Sequence, residues 1–424
     1  MNKNKEVLIG GFALFSMFFG AGNLILPPFL GKEAGTSWLM VSVGFFITAV
    51  FIPILGIYAY AKIQGTMYDF ASKVSPLFSA IYCFTIYAIS VTLPGPRTAS
   101  VAHEMAIQPY FSVSSITTSS IYFIFVFLFV INRAKILGIL GKFLTPLIIF
   151  ILVCVILIGI FSDTESIAIG NFENPFTKGM LEGYQTFDAI GAVVIGGVLV
   201  ISMNYTKENS FQTKKQLITK AGLIAGTGLL LIYAGLIYIG ASFKTVFSEN
   251  ASRAEILNTL SSATLGKIGT QILSFLVALA CFTTAVGIVT GTADYFKGRL
   301  KNSKKAYVAT AFIACLLGVI IGQFDVNYII NIAFPILIFI YPITIVLILL
   351  NSLPEKLSAP LVFRAVVLTA FIFSMPDFLH YVLPNAKFTK TLLILPLSSY
   401  HLSWVLPSIL VFITVNISRI KNAN

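Results

Sequence analysis

The hydrophobic positions of this chain run together in long blocks separated by short charged loops, and they neither alternate nor recur against a polar face. Marking the charges leaves twelve apolar segments, at 7–30, 36–61, 76–105, 116–132, 136–160, 181–205, 217–241, 265–294, 306–323, 326–350, 361–378 and 396–418. A helix needs roughly 20 apolar residues to cross a bilayer, and one that is apolar all round belongs in lipid or in a core. The pattern predicts an all-α integral membrane protein of twelve transmembrane helices, forming one polytopic domain over residues 1–424.

Two segments are interrupted where a lipid-spanning helix has no reason to be. The first carries Phe18-Phe19-Gly20-Ala21-Gly22-Asn23 inside the charge-free run from Val7 to Gly31. Lipid cannot hydrogen-bond freed backbone groups, so an unwound stretch at this depth must be buried in protein or line a cavity. Segment six pairs a mid-run carboxylate with a high density of glycine, in Gly183-Tyr184-Gln185-Thr186-Phe187-Asp188-Ala189-Ile190-Gly191 running on to Gly196-Gly197. It follows segment one by five. Because five is odd, a second five-helix unit sits upside down relative to the first, as in transporters built from inverted repeats with paired broken helices. The expected organisation is a first repeat over 7–160, a second over 181–350, and two further helices over 361–418. The plainer alternative is that these glycines only let helices approach closely.

Composition fits this picture: 57% of residues are hydrophobic, 10% are charged and the mean hydropathy is +0.92. The net charge of +12 is explained by topology. With the N-terminus cytoplasmic, 19 Lys and Arg fall on the inner side and 7 on the outer, and Arg97 and Lys142 in or near the membrane complete the 28. This is the positive-inside bias expected of a cytoplasmic-membrane protein with both termini inside. Lys142 is expected to snorkel to the inner headgroups. The basic residues are spread over short loops, which argues against a nucleic-acid partner. Cys83, Cys154, Cys281 and Cys315 lie in apolar runs without metal-ligand spacing and read as packing residues. The first apolar run lacks a small-residue cleavage site, so no removable signal is expected there.

Three histidines, His103, His380 and His401, form no metal-binding or nucleophile pattern, which disfavours an enzyme. No repeated pore loop or charged ring suggests a channel, and no phosphate-cradling loop suggests a primary pump.

At the level of motifs the chain resembles the bacterial branched-chain amino acid:cation symporters over essentially its full length. The resemblance is carried by Phe19-Gly20-Ala21-Gly22-Asn23 with Pro27-Pro28, by Pro96-Arg97-Thr98-Ala99, and by Gly183-Tyr184 with Thr186 and Asp188. Ala280-Cys281 with Thr284-Ala285-Val286-Gly287, and Tyr341-Pro342, add to it. Phe187 stands where the family often has methionine, and His103 where phenylalanine is usual; the former bears on substrate preference.

The resemblance implies the five-plus-five fold of the amino acid and sodium symporters, with substrate between segments one and six and a cation between segments one and eight. The substrate class is then a branched-chain amino acid, taken up with sodium as the coupling ion and no other cofactor. Proton coupling and another neutral amino acid are the alternative, and the oligomeric state is left open. The substrate site is expected at Gly20, Ala21, Gly22 and Asn23, facing Phe187, Ala189, Ile190 and Gly191. Half-helix termini there offer amides to a carboxylate and carbonyls to an ammonium or cation, and Phe187 and Ile190 supply an apolar wall unless they are ordinary core residues. The sodium site is expected at Ser16, Phe19, Thr283 and Thr284, unless the threonine hydroxyls only bond back to their own helix. Arg97, Tyr184 and Asp188 are candidates for gating or coupling. For Arg97 the other possibility is a structural tie, and for Asp188 simple hydration in an outer vestibule.

Overall fold

A computed structural model describes residues 3–132, 136–162, 166–204, 210–383 and 395–423. Of the basic residues, Arg133, Lys135, Lys207, Lys387 and Lys390 lie outside the described residues, as do the side chains of Lys3, Lys5 and Lys142. Among the described residues the chain is helical throughout, apart from one isolated antiparallel bridge between Gly35 and Ile169. Among the described residues nine helices are long and apolar enough to cross a membrane, or ten when the bent first pair is one span. It is a multi-pass membrane protein.

The order begins with α1 (Lys3–Phe18) and α2 (Ala21–Ala34), whose axes differ by 70°. Next come α3 (Trp38–Phe46) and α4 (Ile52–Ile63), joined by a π-helical turn at Ile47–Phe51. The wide turn precedes Pro53, which has no N–H to give the regular ladder. A short α5 (Met67–Ser72) leads to α6 (Pro76–Thr92) and α7 (Pro94–Ala102), separated by a bend at Leu93 before Pro94. Helices α8 (Ser115–Asn132) and α9 (Ile136–Phe161) complete the first half.

The second half opens with another broken pair, α10 (Pro175–Tyr184) and α11 (Asp188–Asn204). It continues through α12 (Phe211–Ser242), α13 (Arg253–Arg299), α14 (Lys304–Gly322) and α15 (Val326–Ser352), and ends with α16 (Pro360–Val382) and α17 (Val405–Ala423). Helix α13 is two helices in fact, because Gly266 at φ +68° kinks it. The kink sits next to the expected start of segment eight at residue 265, and the preceding helix from Arg253 was not anticipated. Several helices start on a side-chain cap: Ser75, Ser210, Ser252, Ser303 and Asp325 each accept the amide three residues on.

Small residues set the closest crossings. A Cβ at Gly31 would lie 2.0 Å from the Ile237 carbonyl oxygen, and one at Gly240 would lie 2.3 Å from that of Pro28, so α2 and α12 touch backbone to backbone. Helix α10 meets α3 in the same way through Gly44 and Gly179, and Gly183 packs against Thr48 in the π-helical turn that follows. Here the packing explanation of the segment-six glycines is correct for Gly183, where a Cβ would fall 2.0 Å from Thr48 Oγ1. Gly191 differs, since a Cβ there meets only Ile195 at 3.9 Å. Gly183→Val should therefore destabilise the protein by about 1–3 kcal/mol or more, while Gly191→Ala leaves the melting temperature of the detergent-purified protein near wild type. Equal melting temperatures for the two variants would contradict this assignment.

Candidate functional site at the two helix breaks

The two breaks face each other and are joined by side chains. In the first, the chain unwinds at Phe19 and Gly20, and Gly20 is extended (φ −108°, ψ −168°). Its amide donates to Asn23 Oδ1 at 3.1 Å, so the asparagine caps the break within its own segment. The other end of the same side chain crosses to segment six: Asn23 Nδ2 donates to Asp188 Oδ2 at 2.7 Å and to the Tyr233 hydroxyl of α12. Tyr233 in turn donates to Asp188 Oδ2 at 3.4 Å. Asn23, Tyr233 and Asp188 are all buried.

In the second break the backbone turns through Gln185, Thr186 and Phe187. Phe187 adopts φ +61°, a left-handed conformation in which a bulky residue is a genuine outlier. Thr186 bridges the gap, donating its hydroxyl to the Gly183 carbonyl at 2.8 Å and accepting the Asp188 amide at 3.2 Å. Asp188 is thus the first residue of α11, where a carboxylate is favoured by the helix dipole. It is 3% exposed, which rules out the reading of a residue hydrated in an outer vestibule. Ala189, Ile190 and Gly191 form the first turn after it, whose amides lack partners within the helix, except that Gly191 donates back to the Phe187 carbonyl at 2.7 Å. Ala189 and Ile190 are buried.

Arg97, on α7, lies between the breaks. Its Nη1 donates to the Gln185 carbonyl at 2.7 Å, and its guanidinium lies 5.1 Å from the centre of the Phe187 ring. A Cβ at Gly22 would fall 2.5 Å from Arg97 Nη2, so it is glycine that lets α2 accept the guanidinium. Tyr184 is fully buried and stacks on Tyr341 of α15 with ring centroids 4.3 Å apart.

A second, smaller feature lies beside the first break. A cleft of about 10 Å³, room for one water-sized particle, is lined by Ser16, Phe19, Leu144, Thr145, Ile148, Ala280 and Thr283. The sequence-predicted residues Ser16, Phe19 and Thr283 meet there. Thr284 faces Gly20 instead, with its side chain 3.7 Å from where a Cβ on Gly20 would be. Both threonine hydroxyls donate to the Ala280 carbonyl at 2.9 Å, as the alternative reading expected. That bond uses the hydroxyl proton and leaves each oxygen's lone pairs free to meet a cation.

Several site residues were missed by sequence reasoning. Thr145 of α9 donates to Ser16 Oγ at 2.7 Å in the cleft, and it is the one hydroxyl residue in the 136–160 run, a signal that was available. Tyr233 and Gln185 carried no such mark. At the expected outer end, Arg253 pairs with Glu182 at 3.2 Å, donates to Asn327 Oδ1 at 2.8 Å and covers the Phe29 ring at 4.0 Å. It ties α2, α10, α13 and α15 together although it had counted only as a loop charge.

The profile of the family described as "Branched-chain amino acid transport protein" matches residues 3–422. The chain belongs to this family. It is 34% identical over 422 residues to the branched-chain amino acid permease BrnQ of Bacillus subtilis, covering 95% of this chain and 94% of the relative. It is 31% identical over 416 residues to the branched-chain amino acid transport system 2 carrier protein of Pseudomonas aeruginosa, covering 96% and 94%. The family is one of transporters and not of enzymes. In fold the chain is similar to Mhp1, a nucleobase-cation-symport-1 family transporter, in its closed conformation (TM-score 0.62, 11% identity, 98% and 92% covered). It is similar also to a manganese transporter of Eremococcus coleocola (TM-score 0.63, 15% identity, 98% and 95% covered) and to MhsT in complex with L-phenylalanine (TM-score 0.54, 16% identity, 95% and 97% covered).

The glycines at the first break are not equivalent. Gly22→Ala, which places a methyl against Arg97, should lower substrate uptake into vesicles at least about tenfold, since a buried charge then loses its seat. Gly20→Ala meets only Asn23 and Thr284 at 3.7 Å and should lower it much less. Equal losses would detach Arg97 from the break.

Proposed function

We propose that this protein imports leucine, isoleucine and valine by sodium-coupled symport with alternating access, from a position in the cytoplasmic membrane with both termini inside. The reading places twelve spans in a five-plus-five inverted repeat, 7–160 and 181–350, followed by 361–418. The observation that carries it is the meeting of the two breaks through Asn23, Asp188 and Arg97, within a chain whose relatives are named as branched-chain amino acid carriers.

A zwitterion that leaves water must keep both ends hydrogen-bonded. In this reading the amides of Ala21 and Gly22 and those opening α11 face the carboxylate, while freed carbonyls and Asp188 face the ammonium. Phe187 and Ile190 border the branched side chain, and Gly191 leaves room beside them. Binding of a cation near Ser16, Phe19 and Thr283 fixes the carbonyl end of α1, and a fixed first break is a better substrate site. Coupling is this difference in affinity between states. Tyr184 and Asp188 flank the α10–α11 break and Arg97 of α7 is tied to it through the Gln185 carbonyl, so the three serve in gating or coupling.

A second reading, proton coupling, draws on one observation: Asp188 is a buried carboxylate whose hydrogen-bond partners are all neutral. The two are separated by uptake of radiolabelled leucine into proteoliposomes under an imposed sodium gradient or an imposed proton gradient, with isoleucine, valine, alanine and phenylalanine as competitors. Sodium-driven accumulation blocked by isoleucine and valine is expected; accumulation driven only by protons moves coupling to Asp188, and no accumulation under either gradient removes the substrate assignment. In the same assay Thr283→Ala and Thr145→Ala should each raise the sodium concentration for half-maximal uptake about tenfold, the scale of about 1.4 kcal/mol for one lost ligand. An unchanged sodium requirement in both variants would remove the cleft as the cation site.

A further inference from the structure

Two buried charges of opposite sign, Asp188 and Arg97, sit at the second break without a direct ion pair between them among the described residues. Asp188 is 3% exposed; its carboxylate accepts from the neutral donors of Asn23 and Tyr233, while its amide donates to the Thr186 hydroxyl. Arg97 is equally buried, and its recorded partners are a neutral carbonyl oxygen at Gln185 and the face of Phe187. Each contact falls on the break from a different side: Gln185 ends it on the α10 side, and Asp188 begins α11 three residues later.

The state of the guanidinium donors is unequal. Nη1 is held by the Gln185 carbonyl, whereas Nε is fully buried and has no hydrogen-bond partner. Nε and Nη2 form one straight edge of the planar group, the edge that grips a carboxylate with two parallel bonds. Nη2 lies against Gly22, so this edge lies next to the first break. A buried guanidinium whose Nε has no partner is a costly arrangement unless an acceptor completes it. Packing does not require it either, since a tie between helices is already made by Nη1.

Building on the transport reading above, we infer that Arg97 is the receptor for the substrate's α-carboxylate, presenting Nε and Nη2 to it while the Gln185 carbonyl holds the other side of the guanidinium. Asp188 then lies on the ammonium side, and the pair of charges is matched by a zwitterion and by nothing of single charge. The ligand class is a free α-amino acid. Amides, esters and alcohols derived from the same amino acid lack the anion that Arg97 requires. Tight discrimination of this kind comes from a buried polar group that is left unpaired by the wrong ligand.

The test is competition for radiolabelled leucine binding to the purified full-length protein, using leucine and leucinamide as competitors. Wild type should prefer leucine to leucinamide by about 100-fold or more, the scale of losing one partner of a buried charged pair. Arg97→Gln should weaken leucine by about 100-fold and leave leucinamide near its wild-type value, so the preference collapses. A Gln variant that retains the wild-type preference overturns the assignment. If that variant does not yield folded protein, Arg97→Lys decides: it keeps the charge and loses the two-bond edge, so leucine should weaken about tenfold with leucinamide unmoved. Parallel weakening of both ligands by the Lys variant overturns the assignment in favour of a purely structural arginine. Failure of the broader transport reading looks different, because wild type itself then does not bind leucine; the same comparison is then made with the amino acid it does bind and the corresponding amide.

Discussion

A peptide group released from a helix inside a bilayer has nothing outside the protein to bond to. That constraint organises this molecule. Unwinding at Phe19–Gly20 frees backbone groups near the middle of the first span, and unwinding at Gln185–Phe187 does the same in the sixth segment. Asn23 closes the first by capping the Gly20 amide, then reaches Asp188 at the start of the helix that leaves the second. Thr186 spans the second, and Arg97 takes the Gln185 carbonyl. Neither break is self-sufficient. Each is stabilised by groups presented from the other or from α7 and α12, and so the broken helices are fixed as a pair.

The close backbone contacts elsewhere follow from the same need. Helices α2 and α12 touch at Gly31 and Gly240, and α3 and α10 touch at Gly44 and Gly179, with Gly183 against Thr48 just beyond α3. In lipid there is no hydrophobic gain from helix association, and close approach through small residues replaces it. These crossings bring Tyr233 on α12 to Asp188 and hold α10 at the angle from which Tyr184 stacks on Tyr341. A glycine in this chain therefore has one of two uses. Gly183 and Gly240 admit a neighbouring helix, while Gly22 admits a guanidinium.

Much of this was legible in the sequence because lipid imposes long apolar blocks and makes interruptions conspicuous. The break at Gly20–Asn23 and the companion at Gly183–Asp188 could be read from position and residue type, whereas the grouping of Ser16, Phe19 and Thr283 came from the family resemblance, which also included Thr284. The depth of Asp188 could not be read, since counting from Gly179 gives its distance along the chain and says nothing of how Asn23 of α2 and Tyr233 of α12 close over it. Tyr233 was invisible for a related reason: one tyrosine among several in an apolar run reveals its partner only when the helix is rotated into place. The kink at Gly266 was hidden because a single glycine is compatible with a continuous helix, and its positive φ is a tertiary property. Arg253 looked like an ordinary loop charge, and only the helix ahead of the kink gives it Glu182, Asn327 and Phe29 to hold.

The opposite signs of Asp188 and Arg97 have an electrical meaning. A membrane potential does work of about 2.3 kcal/mol on each elementary charge per 100 mV crossed. An ionised Asp188 and a protonated Arg97 sum to zero, so a movement that carries both through the field together involves no net electrical work. Whatever asymmetry an energised membrane imposes on the two directions of travel must then act through the net charge of what is bound, and a zwitterion contributes none.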